Sequence, residues 1–437
     1  MIINTYLREK LFLNYWIVPV LVVLLFGILS IYTLYLDTFI YELWLSDSAV
    51  FIHKDSAQAV LSTIAASVIT VTSVVFSITV LILSIASNQL GPRLIPNFIK
   101  QGTTQFVIGL FIGTFVFCIC ILSTINPSTP IPHLSIILSM ILGISCFLIL
   151  IYFIHYICRS IQVEYVLENI LKEFKQLINV ELESQKLKYN TYENSYNKNN
   201  LPKLKKQVIS EEHGYLQNID LDQLLSICDK NNITVELLVQ SGNFLKSNIV
   251  MFYIYHEESL PENISQDLLK CFRIGSQRST TQDIEFIFEQ MAEIGIRALS
   301  PSLNNPYTAI LCLDFIAESL ILLAQTDLPP TILMSKKQSS GLILSRTNHK
   351  EIIKKAFDRF RQQAVNDLSV SIKFMQIIEE VIKCSQNQYI KKYLLTHAKL
   401  LYEAQESKIK NSTDLSDLKK SLNKINKSLN TKDVTTV

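Results

Sequence analysis

The chain has 437 residues, too many for one ordinary domain, and sets 40 basic against 38 acidic side chains for a net charge of +2. That balance excludes nucleic acid as a partner, because phosphate recognition needs clustered Lys and Arg. Mean hydropathy is +0.27, but residues 1–158 hold only five of the basic and five of the acidic residues, so the front reads as membrane and the back as a water-soluble body.

A helix that crosses the hydrocarbon core needs about 20 mostly apolar residues, since unsatisfied backbone groups are costly there. Four stretches meet this in the transmembrane domain 1–158: about 15–36, 60–87, 106–125 and 134–158. The first is not expected to be a cleaved signal, because Asp37 and the bulky Ile40, Tyr41 and Trp44 follow it in place of a small-residue cleavage site. Arg8, Lys10, Arg93, Lys100 and Arg159 lie at the ends that the positive-inside rule assigns to the cytoplasm. Loop 37–59 has only Lys54 against four acids, and loop 126–133 has no Lys or Arg. The expected topology is therefore multi-pass in a bacterial inner membrane, with both termini cytoplasmic.

On a helical wheel, Ser62, Thr70, Ser73, Ser77, Ser84, Ser87 and Asn88 of the second span fall within about a 100° arc. Ile69 and Val80 share the arc, so the stripe is mainly polar. Uncharged hydroxyls can line a water-filled path, and small hydroxyl residues equally favour close helix packing; both readings of this face stand at this point. If the span lines a pore, Arg93 lies at its cytoplasmic mouth, after the helix-stopping Gly91-Pro92. No span carries a buried carboxylate or Lys, which argues against a proton-coupled pump. In the third span Gly109 and Gly113 form a small-xxx-small pattern, expected to let another helix approach closely.

Behind the membrane part, residues 159–206 read as an amphipathic helical extension and a flexible, Asn-rich linker. Residues 207–256 read as a small β-rich module: a strand over 214–219, a helix over 221–230, strands over 233–239 and 248–255, and a turn at Ser241-Gly242-Asn243. Residues 257–404 read as a helical domain, with helices over 283–299, 309–325, 349–364 and 369–384. The break 300–306 is rich in turn formers, and Thr308 is placed to cap the next helix. Residues 405–437 read as a frayed or disordered tail. The fold class is thus a mainly α membrane protein, with four transmembrane helices followed by a cytoplasmic α+β region that joins the β-rich module to a helical bundle.

Arg278, Asp283, Arg297, Asn304 and Asn305 are the candidates for a cytoplasmic polar site. No catalytic residue, cofactor or metal is assigned: the eight cysteines show neither zinc spacing nor a disulfide framework, and Ser300 and Ser302 have no glycine elbow or neighbouring histidine.

Several segments together resemble a bacterial family of predicted inner-membrane proteins, catalogued as domain of unknown function twenty-two fifty-four. They include Ser73–Thr79, Ala86–Arg93, Val107–Phe115, Phe153–Gln162, Gly242-Asn-Phe244, Arg278 with Gln282-Asp283, Arg297–Pro306 and Ala356–Gln362. The chain departs from the family pattern at Tyr156, where a second histidine is common, and at Asn305, where an aspartate is common. The resemblance implies a bacterial inner-membrane architecture and no particular activity.

Three functions follow from these features. The first is an oligomeric channel or pore-like transport protein, with lipid, further copies of the chain and ions as partners and the cytoplasmic body as its gate or ligand sensor. The alternative is a membrane-anchored binding or signalling scaffold without a pore. The third, an enzyme, would need the two halves of the polar site to converge.

Overall fold

The computed structural model describes residues 16–44, 53–94, 102–126, 131–188, 190–191, 201–202, 204–257, 259–326, 328, 330–334, 340–409 and 411–430. The orientation markers Arg8, Lys10 and Lys100, most of the Asn-rich linker and residues 431–437 lie outside that set. The chain divides into two compact units, Met1–Tyr165 and Val166–Val437.

Unit one contains α1 (Ile17–Trp44), α2 (Lys54–Gln89), a short 3-10 turn at Pro92–Leu94, α3 (Gly102–Thr124) and α4 (His133–Ser160). The central helix is α3, which touches α1, α2 and α4. Gly109 and Gly113 face α1: a Cβ at Gly109 would come within 3.0 Å of Pro19 Cα, and one at Gly113 within 2.9 Å of the Phe26 ring. Such approach lets the backbones meet at short range, the main source of helix attraction where lipid removes the hydrophobic driving force. Phe111, Phe117, Cys118 and Ile121 are fully buried around the same helix.

Asp37, counted above only as a loop acid, closes one end of this bundle. Its carboxylate accepts hydrogen bonds from the backbone N–H of Leu134 at 2.8 Å and of Ser135 at 3.0 Å, and from the Ser135 hydroxyl at 2.5 Å. Because α4 starts at His133 after Pro132, it has no side-chain cap at its own N-cap position. Asp37 supplies one from α1, on donors that helix geometry leaves unsatisfied. Asp37→Ala is expected to destabilise the protein by about 1–2 kcal/mol, with Asp37→Asn intermediate. Thermal melts in detergent check this, and an unchanged melt in the alanine variant would refute the cap.

Unit two takes up most of α5 (Val163–Lys188), whose sequence crosses the division. Phe174 on its apolar face meets Phe288 edge-on, ring centroids 5.4 Å apart. Next come β1 (Asn190–Thr191), β2 (Leu204–Ile209), β3 (Gly214–Ile219), α6 (Leu221–Asn231), β4 (Thr234–Leu237), β5 (Phe244–Leu245), β6 (Val250–His256), α7 (Ile264–Leu269) and β7 (Phe272–Gly275). The remainder is α8 (Ile284–Ala298), α9 (Pro306–Gln325), β8 (Ile332–Met334), β9 (Gly341–Ile343), α10 (His349–Ala364), α11 (Leu368–Cys384), α12 (Gln388–Glu406) and α13 (Ser412–Asn430).

The strands form one sheet in the order β1-β8-β9-β4-β6-β2 and a smaller one, β5-β3-β7. Neighbouring strands are antiparallel except β4 and β9, which run parallel. The β-rich part is therefore not closed at residue 256, because β7, β8 and β9 join it from the stretch expected to be helical. Side-chain caps start the helices: Asp220, Asp283, Asn305, Asn348, Asp367 and Asn387 each accept from a backbone N–H in the first turn. Asn305, not Thr308, thus caps α9.

Residues 412–430 are helical where a frayed tail is expected. Leu415, Leu418, Leu422, Ile425 and Leu429 recur at helical spacing, and Leu418 and Ile425 are fully buried where α13 meets α11 and α12.

Among the described residues five helices are long and apolar enough to cross a membrane, the four of unit one and α9. Helix α9 lies against α8 and α11, with Cys312, Leu313 and Ile316 fully buried. Its Asp314 pairs with Lys373 at 2.5 Å and its Glu318 with Lys175 at 3.6 Å.

Candidate functional site

The hydroxyl stripe of α2 faces outward from unit one. The inward face is Ala57, Leu61, Ala65, Val68, Val75, Ile82 and Ala86. Ser62, Thr70, Ser73, Ser77, Ser84 and Asn88 are exposed on the other side and Ser87 is half-exposed. Several of the hydroxyl protons are used locally: Ser62 donates to Ala59 O at 3.0 Å, Thr70 to Ala66 O at 2.8 Å, Ser73 to Ile69 O at 3.2 Å and Ser77 to Ser73 O at 2.9 Å. Each oxygen keeps lone pairs for whatever touches that face. Arg93 is exposed in the 3-10 turn just beyond the helix end.

In unit two, α8 separates the two halves of the expected polar site. Asp283 caps its N-terminus and Arg297 lies in its last turn, so the groups stand roughly 20 Å apart along the axis and do not converge. At the far end Arg297 pairs with Glu293 at 3.3 Å, one turn back. Asn304 takes a left-handed backbone (φ 42°). The Asn305 side chain accepts from Thr308 N at 3.2 Å, while its own N–H donates to Ala298 O at 2.8 Å. These contacts build a turn between two helices.

The near end is a buried ionic knot. Arg278 places Nη2 2.7 Å and Nε 2.9 Å from Asp283 Oδ2, and Nη1 2.7 Å from Glu289 Oε2. Its guanidinium lies 4.7 Å from the Phe286 ring centroid, and Lys355 of α10 reaches the other oxygen of Glu289 at 2.7 Å. The Asp283 side chain is 3% exposed and that of Arg278 16%. Burial pushes the Asp283 carboxyl up to about 6, against the opposing pull of Arg278 and of the Phe286 N–H. Gly242 supplies the space: its φ is +92°, and a Cβ there would sit 2.0 Å from Asp283 Oδ2. Gln282 acts like a strand residue in side-chain form, accepting from Ile219 N at 2.9 Å and donating to Ile219 O at 3.1 Å. Both cations are thus held by carboxylates and the knot joins the turn at Gly242, α8 and α10, an arrangement suited to holding the sheet layer on the helices.

Glu289, Lys355 and Phe286 were not anticipated as part of this group. Only the spacing of Glu285 and Glu289 along one helix face hinted at it. Burial pushes the thiols of Cys228, Cys271 and Cys312 upward, which disfavours a thiolate nucleophile. Among the described residues no three His, Cys, Asp or Glu side chains converge on a metal position.

Uncharacterised proteins of Mycobacterium bovis and Mycobacterium tuberculosis are each 28% identical to it over 284 residues, 63% of this chain and 54% of theirs. The chain therefore spans about half the length of the curated relatives it matches. No solved structure matches. The profile of a family described as a predicted membrane protein, DUF2254, matches residues 13–380, from ahead of α1 into α11. With its apolar helices and that match together, the chain belongs to the DUF2254 family of predicted membrane proteins.

Proposed function

We propose that this protein is an oligomeric inner-membrane channel or pore-like transport protein, in which α2 from each copy lines the path and unit two senses a ligand or gates. The observation that carries this reading is the outward hydroxyl face of α2, exposed over the length of the helix while the opposite face packs on α3. In a bilayer that face meets lipid, another copy or water. A run of acceptor oxygens is best used where water or partly dehydrated ions pass. Four helices, α1 to α4, make the crossings in this reading. The fifth apolar helix, α9, carries Asp314 and Glu318, costly in hydrocarbon and here paired with Lys373 and Lys175. Both termini are then cytoplasmic, as the distribution of Lys and Arg indicates.

Purified full-length protein in planar bilayers is expected to conduct, and Ser77→Leu or Ser84→Leu to change the unitary conductance at least twofold without loss of folded protein. Silence across monovalent and divalent ions at all voltages would refute the pore and favour the scaffold reading, with the hydroxyl face against lipid or a neighbouring helix.

A further inference from the structure

The turn between α8 and α9 ends in a bare apolar tip formed by Pro301, Leu303, Pro306 and Tyr307. Leu303 is 41% exposed, and Tyr307, at 82%, is the most exposed large apolar side chain among the described residues. The stretch from Ala298 to Leu313 has no charged residue. Most of its backbone donors at the turn are already engaged: Leu299 N donates to Gly295 O, Ser300 N to Arg297 O, Leu303 N and Asn304 N to Ser300 O, and Asn305 N to Ala298 O, at 2.8–3.2 Å. Pro301 and Pro306 have no N–H to lose. Such a turn can leave bulk water without orphaning its donors, the cost that keeps most loops out of a lipid surface.

The packing of unit two sets where the tip points. Helix α5 ends at the sheet layer, because β1 directly after it pairs with β8. Helix α8 starts from that layer, where Gln282 brackets Ile219 of β3. The two helices thus run in opposite directions, and α9 returns beside α8 toward β8. Phe174 of α5 meets Phe288 of α8, and Lys175 meets Glu318 of α9. Counted from these contacts at about 1.5 Å per residue, Val166, Ile296 and Ala309 lie at one level, remote from the sheets, and the turn reaches past it. Val166 is where the chain enters unit two, a short step after α4 ends at Ser160. The tip therefore projects from the end of unit two that the chain ties to the membrane.

We propose that the α8–α9 turn is a lipid-binding foot, which seats Leu303 and Tyr307 in the headgroup layer of the bilayer that α4 crosses. Tyrosine suits that depth, with an apolar ring and a hydroxyl that stays wet. Asn304 and Asn305 keep the turn from sinking into hydrocarbon. Unit two is then fastened to the membrane at a second point besides its covalent joint. The inference rests on α4 as a membrane span and not on the pore, so absence of conduction leaves it standing.

The test is tryptophan fluorescence of the full-length protein in phosphatidylcholine–phosphatidylglycerol nanodiscs, with and without bromine near the headgroup end of the acyl chains. The background carries Trp16→Phe and Trp44→Phe, the two native indoles being removed, and Tyr307→Trp or Leu303→Trp supplies the probe. Tyr389→Trp is the control. Tyr389 is 75% exposed and lies at the opposite end, because α10 runs with α8 from the sheet layer (Lys355 on Glu289) and α12 runs with α10 (Lys350 over Tyr393, Gln405 on Val365 O). Emission from the Tyr307→Trp and Leu303→Trp probes is expected to be roughly halved in brominated discs, with a maximum at shorter wavelength than that of the control, which should keep its intensity. Should one probe variant melt without cooperativity, the other carries the test. Unquenched emission from both turn probes, or equal quenching of the control, would overturn the proposal. A short-wavelength maximum without bromine quenching would overturn it too, since a second copy of the chain or another protein would then cover the tip.

Discussion

Replacing Arg278 by methionine is expected to destabilise unit two by about 3–5 kcal/mol, a fall in melting temperature on the order of 10 °C. Methionine keeps much of the apolar stem, so packing on Phe286 changes little, and the loss comes from two carboxylates deprived of their shared cation. Lys355 still reaches Glu289; Asp283, 3% exposed, keeps only the Phe286 N–H of the knot. The deficit must depend on pH, with a fixed sign. The Asp283 carboxyl already stands at about 6 in the folded protein against 3.8 unfolded, and loss of the guanidinium raises it further. A raised carboxyl favours the fold below its unfolded value and disfavours it as pH climbs through the folded one. Arg278→Met should therefore lag furthest behind the parent at pH 8 and recover toward pH 5. Asp283→Asn in the same background should restore part of the loss at pH 8. A constant deficit across this range would rule out the ionic account.

The second large effect belongs to His397, buried on α12 beside Phe357, ring centroids 5.8 Å apart. Burial is the main cause that lowers it from 6.5 to about 4. The Arg361 charge adds to the shift, and Asp358, 3.9 Å from Nε2, opposes it. The unfolded chain takes up this proton first on acidification. Stability is complete above pH 6.5 and is lost as pH falls toward 4, by about 2 kcal/mol at pH 5 and about 3 kcal/mol in full. Asp283 acts with the opposite sign over an overlapping range, so the parent alone does not isolate either group. The informative comparison is His397→Leu against the parent at pH 7.5 and pH 5, where the leucine variant should lose about 2 kcal/mol less on acidification. Equal losses would show that the imidazole is not the group that titrates.

Much of the architecture is local and therefore legible. Helix α10 was placed at His349–Ala364 from its apolar spacing, and the four apolar helices of unit one from length and composition. Long periodic segments carry their own signal. What escaped is non-local. Strands β8 and β9 are three residues each, too short to show a period of two, and β9 is defined by its parallel pairing with β4, about a hundred positions earlier in the chain. The order of the tail's helix is masked by a composition in which Lys, Asn and Ser dominate, while five apolar positions hold it. At the polar site, Arg278 and Asp283 were visible as a near pair. Their partners were not, because Glu289 and Lys355 meet only when α8 packs on α10. The α2 stripe could be drawn on a wheel; which way it faces required α3 to be set against the opposite side.

The bond from Asp37 to the start of α4 bears on biogenesis. A nascent chain is made from its N-terminus, and the Asp37 carboxylate within α1 waits for donors 97 and 98 residues further on. Until those donors are synthesised, the carboxylate has only water or lipid headgroups to face. Helix α3 meets α1 first, through Gly109 and Gly113, and α4 then latches the Asp37 end of a helix already seated.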